Sequence, residues 1–183
     1  MNGNEVIEKL KQGNQAYIHA THSQGDISMD KRIDTYENGQ HPYAIIITCS
    51  DARVIPESIF SAGIGDLFVI RVAGNVIDHH QLGSIEYAAS HLHCPLVLVL
   101  GHTFCGAVDA AIAHDPQGYI KYITDEIKEA IGEETDDYKA CCLNVQRSID
   151  KIESSFQIKK EESHGMLVKG AIYHIENGQV DFL

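Results

Sequence analysis

The sequence predicts an α/β protein with a central, mainly parallel β-sheet flanked by helices, and three observations carry that prediction. Residues 43–48, 67–72 and 96–100 are near-continuous apolar runs rich in Ile, Val and Leu, the composition of strands covered on both faces. Between the second and third runs, Leu82, Ile85, Ala88, Ala89 and Leu92 recur at the spacing of one helix face. Each run ends in a polar loop, and ligands of parallel sheets collect beyond the carboxyl ends of the strands. With 183 residues, 44% hydrophobic and 22% charged, the chain fits a single domain, residues 1–183, with a buried core.

In chain order, residues 4–18 place Val6, Ile7, Leu10, Ala16, Tyr17 and Ile18 at roughly helical spacing, an amphipathic helix weakened modestly by Gly13. Residues 19–38 have weak periodicity and read as an irregular stretch or short helix. Residues 1–39 together form an N-terminal helical arm able to wrap a partner subunit. A short helix is expected at 56–60 and a turn at 63–66, and Pro95 opens the third strand. Residues 119–131 and 136–156 look helical and suited to cover the sheet. Residues 166–183 alternate as strands do around Asn177-Gly178, which predicts a closing hairpin at a sheet edge.

Fourteen Lys and Arg against 26 Asp and Glu give a net charge of -12, which repels phosphates and anionic lipid. Nucleic acid and membrane surfaces are therefore not expected as partners. No apolar stretch is long enough for a membrane span, no secretory leader is evident, and a cytoplasmic location follows by default. Five cysteines without small-scaffold spacing favour metal ligands and buried thiols over disulfides.

The chemistry concentrates in Gly101-His102-Thr103-Phe104-Cys105-Gly106, at the end of the third run. A strand feeding directly into a helix would put His102 and Cys105 three residues apart in its first turn, facing the same way. A helix N-terminus also lowers a thiol's pKa and favours the thiolate. Cys49-Ser50-Asp51-Ala52-Arg53 ends the first run and adds a second thiol and a carboxylate. Cys49, His102 and Cys105, with Asp51 or a water as fourth ligand, suit zinc, a d¹⁰ ion that accepts thiolate and imidazole tetrahedrally. Coordination by Asp51 closes the site. An Asp51–Arg53 pair holds the carboxylate off the metal and leaves a place for water, whose ionised form, zinc-bound hydroxide, is then the nucleophile. Cys94, Cys141 and Cys142 have no ligand spacing and read as small packing residues. Asp78-His79-His80 reads as a solvated loop, with a proton shuttle as its functional alternative.

These motifs, with Arg71 to Asn75 and Ile85-Glu86-Tyr87-Ala88, resemble the β-class carbonic anhydrases from about Gln40 to Val108, and less specifically at Val168 to Tyr173. The resemblance implies one Zn2+ per chain on Cys49, His102 and Cys105, and reversible hydration of carbon dioxide to bicarbonate and a proton. It makes Asp51 and Arg53 a catalytic pair, with Asp51 ligating the metal in a closed, inactive form. It also implies a substrate pocket of Gln40, Phe68, Tyr87 and Gly106. The first three would come from a neighbouring subunit, so a homodimer or a tetramer of two dimers is implied. Ala52, Val72 and Ala107 depart from the family pattern without removing a zinc ligand. Ile46 stands where members with a regulatory bicarbonate pocket carry tryptophan, so no cooperative bicarbonate inhibition is expected. Two alternatives keep the zinc: hydrolysis of carbonyl sulfide or carbon disulfide, and a non-catalytic module closed by Asp51.

Overall fold

The computed structural model describes residues 1–113 and 118–183. Five strands, β1 (Ala44–Thr48), β2 (Leu67–Arg71), β3 (Leu96–His102), β4 (Leu167–Tyr173) and β5 (Val180–Phe182), form one sheet in the order β2-β1-β3-β4-β5. The first four run parallel, and β5 returns antiparallel to β4 across a turn that contains Asn177 and Gly178. The expected mainly parallel sheet with a closing hairpin at its edge is what the chain forms.

Alternation along the strands divides the core between the two sheet faces. Ile45, Ile47, Val97, Val99, Val168 and Ile172 pack with residues of α4 (His79–His91), α5 (Gly106–Ala113), α6 (Ile120–Ile131), α7 (Asp137–Ser154) and α8 (Phe156–Ser163). Ala44, Ile46, Leu96, Leu98 and Leu100 face the other way, onto Val6 and Leu10 of α1 (Gly3–Ile18) and Ile59 of α3 (Pro56–Ile59). Every residue of β1 and β3 is buried, which is why these runs are continuously apolar. Each buried Ile or Leu contributes about 1.5–3 kcal/mol relative to exposure.

The structure divides the anticipated arm. Helix α1 starts in a reciprocal cap, with Asn2 Oδ1 accepting from Glu5 N at 3.0 Å and Glu5 Oε2 accepting from Asn2 N at 2.8 Å, and it buries Val6 and Leu10 against its own sheet. Residues 29–38 form a regular helix, α2 (Met29–Asn38), capped by Ser28. None of its residues is buried, so no apolar stripe announces it.

Three other boundaries differ from expectation. Asp78-His79-His80 is no loop: Asp78 caps α4 by accepting from His80 N and Gln81 N, and the Gln81 side chain bonds back to Asp78 N. The helix expected over 136–156 ends at Ser154, and Ser155 opens α8 by accepting from Gln157 N and Ile158 N. His102 and Cys105 do not share a helical turn, because His102 is the last residue of β3 and pairs with Tyr173 of β4. Thr103 N continues that ladder to Tyr173 O at 3.0 Å. Phe104 then turns the chain at φ +54°, and α5 begins only after Cys105.

Gly101 lets α7 lie close over the end of β3. A Cβ there would stand 2.6 Å from Val145 Cγ2 and 3.0 Å from Ile172 Cδ1. Gly101→Ala is accordingly expected to destabilise the fold by about 1–3 kcal/mol through overpacking, read as a lowered urea midpoint with unchanged slope.

Candidate metal centre

The parallel register of β1 on β3 aligns Thr48 with Leu100, so Cys49 and His102 leave adjacent strands at the same sheet end. The turn at Phe104 brings Cys105 back to them. One ligand atom from each of Cys49, His102 and Cys105 lies within 4.8 Å of the others, and all three residues are buried. This group is able to coordinate a metal, and among the described residues it is the one cluster of its kind.

Its polar atoms are oriented for that role. His102 Nδ1 lies 2.9 Å from Thr103 O. A carbonyl only accepts, so Nδ1 carries the ring hydrogen and Nε2 keeps a free lone pair. That buried Nε2 has no hydrogen-bond partner among the described residues, which is costly unless a further group takes the lone pair. Cys49 Sγ accepts from Gly74 N at 3.3 Å and Asp51 N at 3.4 Å. The Cys49 thiol is held far below the usual range, first by the Cys105 side chain, with burial opposing and with His102 and those two N–H groups adding. The same pairing, together with burial, pushes Cys105 up. A cation placed between the two sulfurs would favour the ionised form of both.

Asp51 stands beside this group with both oxygens engaged by Arg53. Nε donates to Oδ1 at 2.9 Å, Nη2 to Oδ2 at 2.7 Å, and Arg53 N to Oδ1 at 2.9 Å. Arg53, first among the causes, holds the carboxyl down to about 2. Arg53 Nη2 also reaches Phe104 O at 3.1 Å and ties the two ligand loops together.

The other expected residues are placed unevenly. Gly106 opens α5 directly after Cys105. Phe68 sits in mid-β2 opposite Ile45, its ring 6.2 Å from that of Tyr87, and Gln40 lies ahead of β1 at the other end of the sheet. At roughly 3.3 Å per residue, β1 alone separates Gln40 from Cys49 by more than 15 Å. Within one chain Gln40 does not reach the Cys–His–Cys group.

Reasoning from sequence missed the residues that hold the loops. Arg71 Nη2 donates to Asp51 O at 2.7 Å and its Nε to Cys49 O at 3.2 Å. Both carboxylate oxygens of Asp137 accept from Phe104 N, at 3.1 and 2.9 Å. Cys141, expected only to pack, also donates from Sγ to His102 O at 3.1 Å. Cys94 Sγ donates to Pro42 O at 3.2 Å, and burial pushes this thiol up to about 12. No spacing rule points to contacts of side chains with a distant backbone.

Comparison with known proteins decides the family. A profile described as Carbonic anhydrase matches residues 44–180. The chain belongs to the β-class carbonic anhydrases. Carbonic anhydrase 2 of Mycobacterium tuberculosis is 43% identical over 127 residues, 67% of this chain and 61% of that protein. The chain therefore matches less than two thirds of that relative's length. The carbonic anhydrase of Mycolicibacterium smegmatis is 31% identical over 194 residues, covering 98% of this chain and 94% of its own. The solved structure of the β-carbonic anhydrase CcaA superposes with a TM-score of 0.73 at 26% identity, covering 98% and 92% of the two chains.

The Asp51–Arg53 pair gives this β-class carbonic anhydrase a defined acid response. Because Asp51 is lowered from 3.8 to about 2 in the folded chain, the stability it contributes is present above pH ~4 and is lost as pH falls toward ~2. Arg53→Ala should therefore lower the urea midpoint at pH 5, and the gap to the parent should narrow at pH 2.5. Equal midpoints at pH 5 would mean that the pair is not formed in solution.

Proposed function

We propose that the chain catalyses reversible hydration of carbon dioxide to bicarbonate and a proton, with one Zn2+ held by Cys49, His102 and Cys105. The observation that carries this reading is the buried Cys–His–Cys group with a free Nε2, beside a carboxylate held by arginine. Tetrahedral zinc with bonds of about 2.0–2.3 Å needs donor atoms roughly 3.5–3.8 Å apart, within the span of this group. When bound, zinc acidifies a water so that a nucleophile is available near neutral pH.

The chain's own residues supply the rest. Asp51, ionised and accepting only, would accept a hydrogen bond from the attacking oxygen, which keeps its hydrogen and is oriented with a lone pair toward carbon. Arg53 fixes that carboxylate from both sides and keeps it available to the water, which favours the open site over the non-catalytic, closed one. Gly106, having no side chain, leaves space beside Cys105 for a small neutral substrate. All five cysteines are free thiols, and among the described residues no helix is long and apolar enough to cross a membrane. Both fit the cytoplasmic placement that we propose.

We assign Gln40, Phe68 and Tyr87 to the pocket of a second copy of the chain, as a homodimer or a tetramer of two dimers. Two features support this. Strand β2 is an open sheet edge with Leu67, Phe68, Val69 and Ile70 only half-buried, and Ile27, Met29, Ile33 and Tyr36 lie exposed on and before α2.

Stopped-flow hydration with a pH indicator, alongside zinc analysis of the same sample, tests the reading. About one zinc per chain with activity rising from pH ~7 to above ~8 is expected from the ionisation of the bound water. Zinc without hydration at either pH refutes the assigned reaction. Asp51→Asn should keep the zinc and lose about 10²-fold or more in kcat, the scale of a removed proton-handling group. Loss of the zinc instead would make Asp51 a ligand. Specific activity should also fall when the protein is diluted below its dimer dissociation constant, as followed by sedimentation. A constant value would show that one chain suffices.

A further inference from the structure

Four polar residues of α7, Asp137, Cys141, Asn144 and Ser148, recur at intervals of four, three and four, the spacing of a single helix face. All four are spent on backbone atoms around the Cys–His–Cys group: two in the loop that carries His102 and Cys105, and two in the turn after β2 that touches Cys49. Asp137 and Cys141 hold Phe104 N and His102 O as described. Asn144 Nδ2 donates to Gly74 O at 2.8 Å, and Ser148 Oγ donates to Asn75 O at 2.9 Å. Asn144 and Ser148 are each only 2% exposed. Buried polar groups cost stability unless bonded, and apolar residues of similar volume would serve packing alone as well.

The turn they hold is a strained one that touches a ligand. Gly74 sits at φ +67° and Asn75 at φ +45°, and Gly74 N donates to Cys49 Sγ. A non-glycine residue in the left-handed region costs of order 1 kcal/mol and persists where surrounding contacts determine it. With no Cβ at Gly74, the direction of its N–H depends on how the peptides that follow are fixed, and their carbonyls are the ones α7 grips.

We infer that Asn144 and Ser148 are positioning residues of the metal centre, aiming the Gly74 N–H at Cys49 Sγ and so setting the donor strength of that ligand. The inference rests on the reading that Cys49, His102 and Cys105 bind a metal. Outer partners of this kind typically change metal affinity 10- to 100-fold when removed. An N–H···S bond also draws charge from the sulfur, so its loss moves a sulfur-to-metal charge-transfer band to longer wavelength.

The test uses the full chain loaded with Co2+ for spectroscopy and with Zn2+ in competition with a chelator, for the parent, Asn144→Leu, Ser148→Ala and Val145→Ala. Val145→Ala thins the same helix without touching the turn and calibrates lost stability. Zinc affinity about 10-fold weaker or more in Asn144→Leu, a smaller loss in Ser148→Ala, and a red-shifted cobalt band in both would support the inference. Val145→Ala should keep the parent's affinity and band despite a lower Tm. If Asn144→Leu fails to fold, Ser148→Ala alone decides by the same two readouts. Variants that lose Tm but keep the parent's affinity and band overturn the positioning role. A parent that binds neither metal overturns the metal reading itself, a separate result.

Discussion

The site depends first on the parallel register between β1 and β3. Ile45 to Thr48 lie opposite Val97 to Leu100 in the middle of a sheet covered on both faces, so a one-residue slip of either strand would exchange the side chains of its two faces and break the packing of both cores. Because that pairing is fixed, the first residues beyond it are fixed too. Cys49 and His102 are brought together by two strands that have no choice of alignment. Only Cys105 needs a special device, the left-handed turn at Phe104, and that turn is bonded by Asp137 and Arg53 from two directions.

The charge arrangement follows from the same geometry. The chain as a whole carries -12, yet Arg53 and Arg71 converge on the loop after β1. Both are committed to oxygen atoms of that loop, one to the Asp51 carboxylate and one to its main-chain carbonyl. They therefore act as local clamps and not as a broad attractor of anions.

What was legible in the sequence is what burial writes into it. The strands were readable because two-sided burial demands uninterrupted apolar runs, and the chemistry-bearing cysteines and histidine were readable because they stand at the ends of those runs. Helix α2 was legible only as one of two alternatives, an irregular stretch or a short helix, since a helix that buries nothing in its own chain shows no stripe. The start of α4 is hidden because the polar run Asp78 to Gln81 resembles a solvated loop, although its spacing is that of a reciprocal helix cap. The split at Ser155 was hidden inside one continuous helical pattern. The left-handed turn at Phe104 had no marker, because aromatic residues do not advertise that conformation as glycine does. The polar face of α7 lay beyond reach for a different reason: its partners are backbone atoms 33 to 73 residues away, which only the fold brings near.

The two edges of the sheet are unequal, and this has a consequence for solubility. At one end β2, five residues long, pairs with β1 on one side and has no strand neighbour on the other among the described residues, and its apolar side chains are half-buried. At the other, β5 is three residues long, and its Asp181 is held by His174 Nε2 at 2.8 Å. In the dimer proposed above, two copies pairing along β2 would use up the adhesive edge on both and leave a short, charged one outward. Strand-by-strand accretion into fibrils would then have no template on which to continue.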